Sequence, residues 1–163
     1  MINRRTFGKA VGLGTGAAAV SLPALGTDAF ASTASHRADG GSQIPTVPAL
    51  TPGTHISFST LKQVDAGVLN VGYAEAGPAH GPVVVLLHGW PYDIHSFVDV
   101  APLLAGLGYR VIVPYLRGHG STTFLSHRTP RTAEQSAVAL DVIALMDALK
   151  IDTAVLAGFD WGS

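Results

Sequence analysis

The sequence predicts an α/β fold, a mostly parallel sheet with helices on both faces, and three observations carry that prediction. Val83-Val84-Val85-Leu86-Leu87 is an unbroken run of branched or large apolar residues, the pattern of a strand buried on both faces. Val138, Val142, Leu145 and Leu149 recur at helical spacing, with Asp147 on the opposite side. From about residue 54 onward, strand-like and helix-like stretches alternate, as they do when helices cross over between parallel strands.

Taken in order, the first 31 residues read as an address. Asn3-Arg4-Arg5-Thr6-Phe7-Gly8-Lys9 precedes a moderately apolar run from Ala10 to Leu25, and Ala29-Phe30-Ala31 is a small-x-small cleavage pattern. Glycines at 8, 12, 14 and 16 argue against an ordinary helix, since each costs about 1 kcal/mol relative to Ala. The run is also too short to span a bilayer, so no stable membrane anchor is expected. It resembles a twin-arginine signal peptide, which implies export to the periplasm or outside the cell. Residues 32–53, rich in Ser, Thr, Gly and Pro, are expected to be a flexible linker, leaving 54–163 as the folded core.

Within that core, His55 to Val64 and Val68 to Glu75 are expected to pair as a hairpin across Asp65-Ala66-Gly67. The buried strand 83–87 comes third. A helical stretch follows from about Ile94 to Leu107, interrupted by Pro102 and closed by Gly106 and Gly108. Tyr109 to Val113 is the fourth strand. The long helix is expected over Ala133 to Leu149, with Thr132 as N-cap and Gln135 completing a capping box. Thr153 to Ala157 is the fifth strand.

Composition narrows the function classes. The 163 residues hold 10 basic and 11 acidic groups, and charged residues are only 13%. No broad basic face for nucleic acid is available. The chain has no Cys, which removes disulfides, thiolate nucleophiles and thiolate metal sites. Of the seven histidines, 36, 55, 80, 95 and 127 show no ligand spacing, so neither a metal nor a cofactor is expected.

Two loops carry the chemistry. In Gly158-Phe159-Asp160-Trp161-Gly162 the flanking glycines allow a sharp strand-to-helix turn that lifts Asp160 above the sheet. A carboxylate there suits displacement at an sp³ carbon, giving an alkyl-enzyme ester, and suits amide attack poorly. His88-Gly89-Trp90-Pro91 ends the third strand. If the third and fifth strands are neighbours, this loop lies beside Asp160 at a switch in strand order. The backbone N–H groups of Trp90 and Trp161 are then candidate oxyanion donors. The Trp90-Pro91 bond is a candidate cis peptide. His88 is read as a buried loop organiser rather than a general base, His119 as shaping the loop after the fourth strand, and Arg117 as a structural ion-pair partner.

The two loops in register, with Pro114-Tyr115-Leu116-Arg117-Gly118-His119-Gly120-Ser121 between them, resemble the α/β-hydrolase superfamily, in particular epoxide hydrolases and next haloalkane dehalogenases. The resemblance implies Asp160 as nucleophile, Trp90 and Trp161 as oxyanion donors, and His88, Gly89, Pro91, Gly158 and Gly162 as loop-shaping residues. It implies a small apolar substrate, epoxide or haloalkane, with Trp161 as a halide ligand in the second case. Tyr115 departs from the Asp that much of the superfamily carries before Leu-Arg-Gly.

The expected fold is the N-terminal part of that architecture, five of the usual eight strands, without the cap and the later strands. In the family order the acid and then the His follow the nucleophile, yet all seven histidines precede Asp160. The chain is therefore expected to be inactive alone. An inert product, or a module that binds a partner through an open sheet edge, stays open as a non-enzymatic alternative.

Overall fold

The computed structural model describes residues 57–163 continuously, together with 2–3, 49, 53 and 55. The paired arginines, the apolar run, the Ala29–Ala31 site and almost all of the linker lie outside the described residues. Among the described residues there are seven strands and two α-helices: β1 Ile2–Asn3, β2 Leu61–Ala66, β3 Leu69–Ala76, β4 Val83–Leu87, α1 Val100–Gly106, β5 Arg110–Pro114, β6 Thr123–Phe124, α2 Gln135–Ala148 and β7 Thr153–Gly158. One-turn 3₁₀ helices cover Ile94–Phe97 and Asp160–Gly162.

The strand order is β1-β7-β4-β5-β3-β2, with β6 pairing β3 beside that path. The sheet is mixed rather than mostly parallel. Its centre β5-β4-β7 is parallel, but β2, β3 and β6 join antiparallel, as does β1 on β7. The reason is connection length. Ala66 pairs with Leu69 across a two-residue turn, and such a turn can only reverse the chain, whereas β4, β5 and β7 are joined through helices.

Alternation along the central strands builds two core layers. Val85, Leu87 and Ile112 meet Val138, Val142, Leu145 and Met146 of α2 on one face. Val84, Leu86, Val111 and Val113 meet Ile94 and Ala101 on the other. Helices therefore cover both faces, and the all-apolar run 83–87 is explained because neither face of β4 sees water.

Three boundaries differ from the sequence expectation. The first strand starts at Leu61 rather than His55, because Phe58 turns off the sheet to pack on the α1-side core. The stretch 94–107 divides into a 3₁₀ turn and α1. Pro102, third in α1, needs no intrahelical donor there but could not donate back to Val98 in a continuous helix. The long helix starts at Gln135 with Glu134 as N-cap, so the Thr132 capping box does not form. Arg117 Nη1 holds the Thr132 carbonyl at 2.7 Å, and the Thr132 hydroxyl accepts from the Glu134 N–H at 3.3 Å.

Both helices end in paired C-terminal bonds of the Schellman type. After α1, Tyr109 N donates to Leu104 O and Gly108 N to Ala105 O. After α2, Ile151 N donates to Met146 O and Lys150 N to Asp147 O, with Lys150 at φ 56 where glycine is usual. This hands the chain directly into β7.

Candidate functional site

β7 beside β4 places the two loops together. Leu87 pairs with Gly158, so His88–Pro91 and Phe159–Gly162 leave adjacent strand ends. β4 has β5 on one side and β7 on the other, so the chain reverses its direction of travel across the sheet at this point. Open α/β sheets bind ligands at such a switch.

The elbow is sterically over-determined. Asp160 sits at φ 54, a left-handed conformation that L-residues rarely adopt. Its turn closes so tightly that a Cβ on Gly158 would lie 2.0 Å from Gly162 O, and one on Gly162 would lie 2.2 Å from Leu87 O. Only hydrogen fits at both places. Ser163 Oγ donates to Asp160 O at 2.6 Å, and Phe159 N donates to Leu87 O at 3.3 Å, tying the turn to β4. The Phe159 ring packs against Tyr92 and Phe97, each centroid 5.9 Å away. These two contacts brace the elbow against the loop after Pro91, a role that the sequence motif alone does not reveal.

The Asp160 carboxylate is exposed and turned back toward the first loop. Trp90 N donates to Asp160 Oδ1 at 2.9 Å across 70 residues of sequence. The backbone N–H of Trp90 and then that of Trp161 hold the Asp160 carboxyl below its ordinary pKa. Both expected donors thus act on one carboxylate. Gly89 lies against it: a Cβ there would come within 2.6 Å of Asp160 Cβ. The Trp90-Pro91 bond is cis.

His88 is fully buried. Its Nε2 accepts from Leu116 N at 3.1 Å, so the ring proton sits on Nδ1, 3.1 Å from Gly89 O. Burial pushes its pKa down, and a neutral ring is the form that can accept the Leu116 N–H. It ties the loop after β5 to the loop after β4, as an organiser. His119 stands edge-on to it, ring centroids 4.7 Å apart. Arg117 forms a two-pronged pair with Asp141, 2.6 and 2.7 Å, and so fixes the same loop to α2. Thr122 completes the loop's attachment by bridging Gly72 N and Tyr115 O. Neither Thr122 nor Asp141 is singled out by sequence; Asp141 has a readable signal, a lone carboxylate near the buried stripe of α2.

Space is divided unequally. A groove of about 480 Å³ lies between α2 and β7, lined by Leu87, Val138, Val142, Leu156 and Trp161. A smaller cleft of about 70 Å³ lies between Trp90 and Trp161, floored by Leu116 and His119. Among the described residues no three His, Asp or Glu side chains group as a metal site, and no helix is long and apolar enough to cross a membrane. What the arrangement offers chemically is a carboxylate held by two amides beside aromatic walls.

Known proteins resemble this chain in sequence and fold. The chain is 36% identical over 83 residues to epoxide hydrolase B of Mycobacterium tuberculosis, covering 51% of this chain and 23% of that protein. It is 40% identical to epoxide hydrolase 3 of Siraitia grosvenorii, covering 51% and 26%. Among solved structures, a Klebsiella pneumoniae protein assigned to the epoxide hydrolases superposes with a TM-score of 0.64 at 61% identity, over 64% of this chain and 35% of that one. A point variant of an epoxide hydrolase of Solanum tuberosum superposes with a TM-score of 0.56 at 32% identity, over 63% and 32%. The chain therefore spans between about a quarter and a third of these relatives. Residues 82–163, from the start of β4 through the elbow, match the profile described as alpha/beta hydrolase fold. With the strand order, the glycine-locked elbow and the amide-held carboxylate already in place, that match identifies the chain as a member of the α/β-hydrolase fold family.

Proposed function

We propose that this chain carries the ester-forming centre of an epoxide hydrolase. Asp160 Oδ2 attacks a ring carbon of the epoxide, the carbon–oxygen bond breaks, and the released alkoxide takes a proton from solvent water, leaving hydroxide to the bulk. The product is a hydroxyalkyl ester on Asp160. Hydrolysis then requires water to attack the ester carbonyl, developing negative charge on Oδ1. The Trp90 N–H already faces that atom, and the Trp161 N–H acts on the same carboxylate. Such preorganised donors are worth about 10²–10³ in rate each. The single observation that carries the reading is the Trp90 N to Asp160 Oδ1 bond at 2.9 Å on a positive-φ elbow.

The second step needs a base, and in this family's order it follows the nucleophile. The step assigned to these residues is ester formation on Asp160. Incubation with a small epoxide should give one covalent adduct per chain, on Asp160 and released by hydroxylamine. No adduct on Asp160 would overturn this. Haloalkane chemistry is the competing outcome, favoured by the half-exposed Trp161 indole beside Asp160; stoichiometric halide release from a chloroalkane under the same conditions would select it. Export through a twin-arginine signal over residues 1–31 belongs to the same reading. A reporter fused after Ala31 should leave the cytoplasm, and Arg4→Lys with Arg5→Lys should retain it.

A further inference from the structure

The cleft between Trp90 and Trp161 has one polar feature unused by the fold. Arg117 also borders it, but its guanidinium is committed to Asp141, to Thr132 O at 2.7 Å and to Ala137 O at 3.4 Å. His119 is different. Its Nδ1 lies 3.2 Å from Arg117 O, and a carbonyl can only accept, so Nδ1 carries a proton and, in the neutral ring, Nε2 keeps a lone pair. Among the described residues Nε2 has no hydrogen-bond partner. Both nitrogens of the neighbouring His88 are occupied, by Gly89 O and Leu116 N, so it cannot serve as that partner. The edge-on packing at 4.7 Å and 72° holds the His119 ring in one orientation. The remaining lining is Trp90, Leu116, Ala133, Val138 and Trp161, which favours carbon and offers no competing acceptor side chain.

We propose that this cleft is a substituent subsite and that His119 Nε2 accepts a hydrogen bond from a hydroxyl on the substrate, making His119 a specificity-determining residue. The inference rests on the Asp160 reading above and names its substrate class. The cleft, of about 70 Å³, is small and suits a short substituent such as a hydroxymethyl group. The matching substrate is a short epoxy alcohol, with its ring carbon at Asp160 and its hydroxyl at Nε2. An acceptor that the substrate hydroxyl can satisfy favours that substrate over the analogue that lacks the hydroxyl.

The test compares the rate of Asp160 labelling by glycidol with that by 1,2-epoxypropane, which lacks the hydroxyl, using intact-mass kinetics on the full chain. One neutral hydrogen bond is worth up to about tenfold. The glycidol-to-epoxypropane ratio should therefore fall by about that factor in His119→Phe and be largely retained in His119→Gln, whose amide oxygen can still accept. An unchanged ratio in His119→Phe, with Asp160 still labelled, would overturn the subsite and leave the nucleophile standing. Absence of labelling by both epoxides would overturn both. A second readout needs neither turnover nor variant. Long-range ¹H–¹⁵N spectra should show His119 protonated on Nδ1 alone, with the Nε2 resonance moving on addition of glycerol as an unreactive probe; an Nε2–H tautomer, or no movement, refutes the assignment.

Discussion

Replacing Gly162 by Ala tests whether the elbow geometry is what positions Asp160. The new Cβ would lie 2.2 Å from Leu87 O, 2.6 Å from Leu87 C and 2.8 Å from His88 O. Real Cβ atoms essentially never approach within 3.0 Å, and these neighbours are backbone at the end of a central strand, so no side chain can swing aside. Either the end of β4 or the elbow must move by most of an ångström. Overpacking of this kind costs about 1–3 kcal/mol. For a folded unit of about a hundred residues, each kcal/mol lowers Tm by roughly 4–8 °C. The same displacement opens the Trp90 N to Asp160 Oδ1 bond, so epoxide labelling of Asp160 should slow by at least about tenfold, since misplacement by about 1 Å can cost 10²-fold. Thermal unfolding followed by circular dichroism and intact-mass labelling measure the two effects separately. Gly108→Ala is the control: it lies at positive φ but meets nothing within 4 Å, so it should lower Tm without slowing labelling of the folded protein. If Gly162→Ala unfolds and labels like the parent chain, the steric argument for the elbow is wrong.

Four further outcomes follow from the same structure. Asp141→Asn leaves the buried Arg117 charge without its carboxylate and should destabilise by about 3–5 kcal/mol, read from the denaturation midpoint; Arg117→Met with Asp141→Leu should recover much of that loss. Lys150→Gly relieves a left-handed lysine at the end of α2 and should stabilise by about 1 kcal/mol, visible as a raised Tm. His88 has a folded pKa pushed below its ordinary 6.5 by burial, so its contribution is complete above about pH 6.5 and is lost as pH falls through that value toward the folded pKa; this limb of the Tm-against-pH curve should vanish in His88→Gln. Val155 is 39% exposed on β7, and Val155→Lys should reduce aggregation in light scattering by charging that strand.

Legibility in the sequence follows the range of the interactions involved. The strand 83–87 and the elbow are local patterns, so periodicity and paired glycines are enough to find them. The hairpin is readable for the same reason, since its closure spans Ala66 to Leu69. β1 and β6 are two residues each, shorter than any period, and depend on the partner strand rather than on their own composition. The start of α2 misleads because Thr132 has the right side chain for a cap, while its carbonyl is taken by Arg117 from another loop. The sheet's antiparallel share exceeds the expectation because parallel pairing is read from the apolar run of one central strand.

In the candidate site, Asp160, Trp90 and Trp161 are legible as residues. Their meeting depends on β7 lying beside β4, which no local pattern encodes. His88 as a buried organiser can be anticipated from its place at the strand end. The unused nitrogen of His119 cannot, because it is visible only once the partners of Nδ1 and of the neighbouring His88 are known. The Phe159 brace escapes for a similar reason: its partners Tyr92 and Phe97 lie in a different loop and turn.

Whether Asp160 is a nucleophile held ready by two backbone amides can be read from peptide-resolved mass spectrometry after a brief pulse of small epoxide. The expected result is a single adduct, of the mass of the epoxide, on the C-terminal peptide at Asp160, released by hydroxylamine and absent in Asp160→Asn. An unlabelled Asp160 in folded protein, or equal labelling of exposed carboxylates such as Asp152 and Glu134, would contradict it.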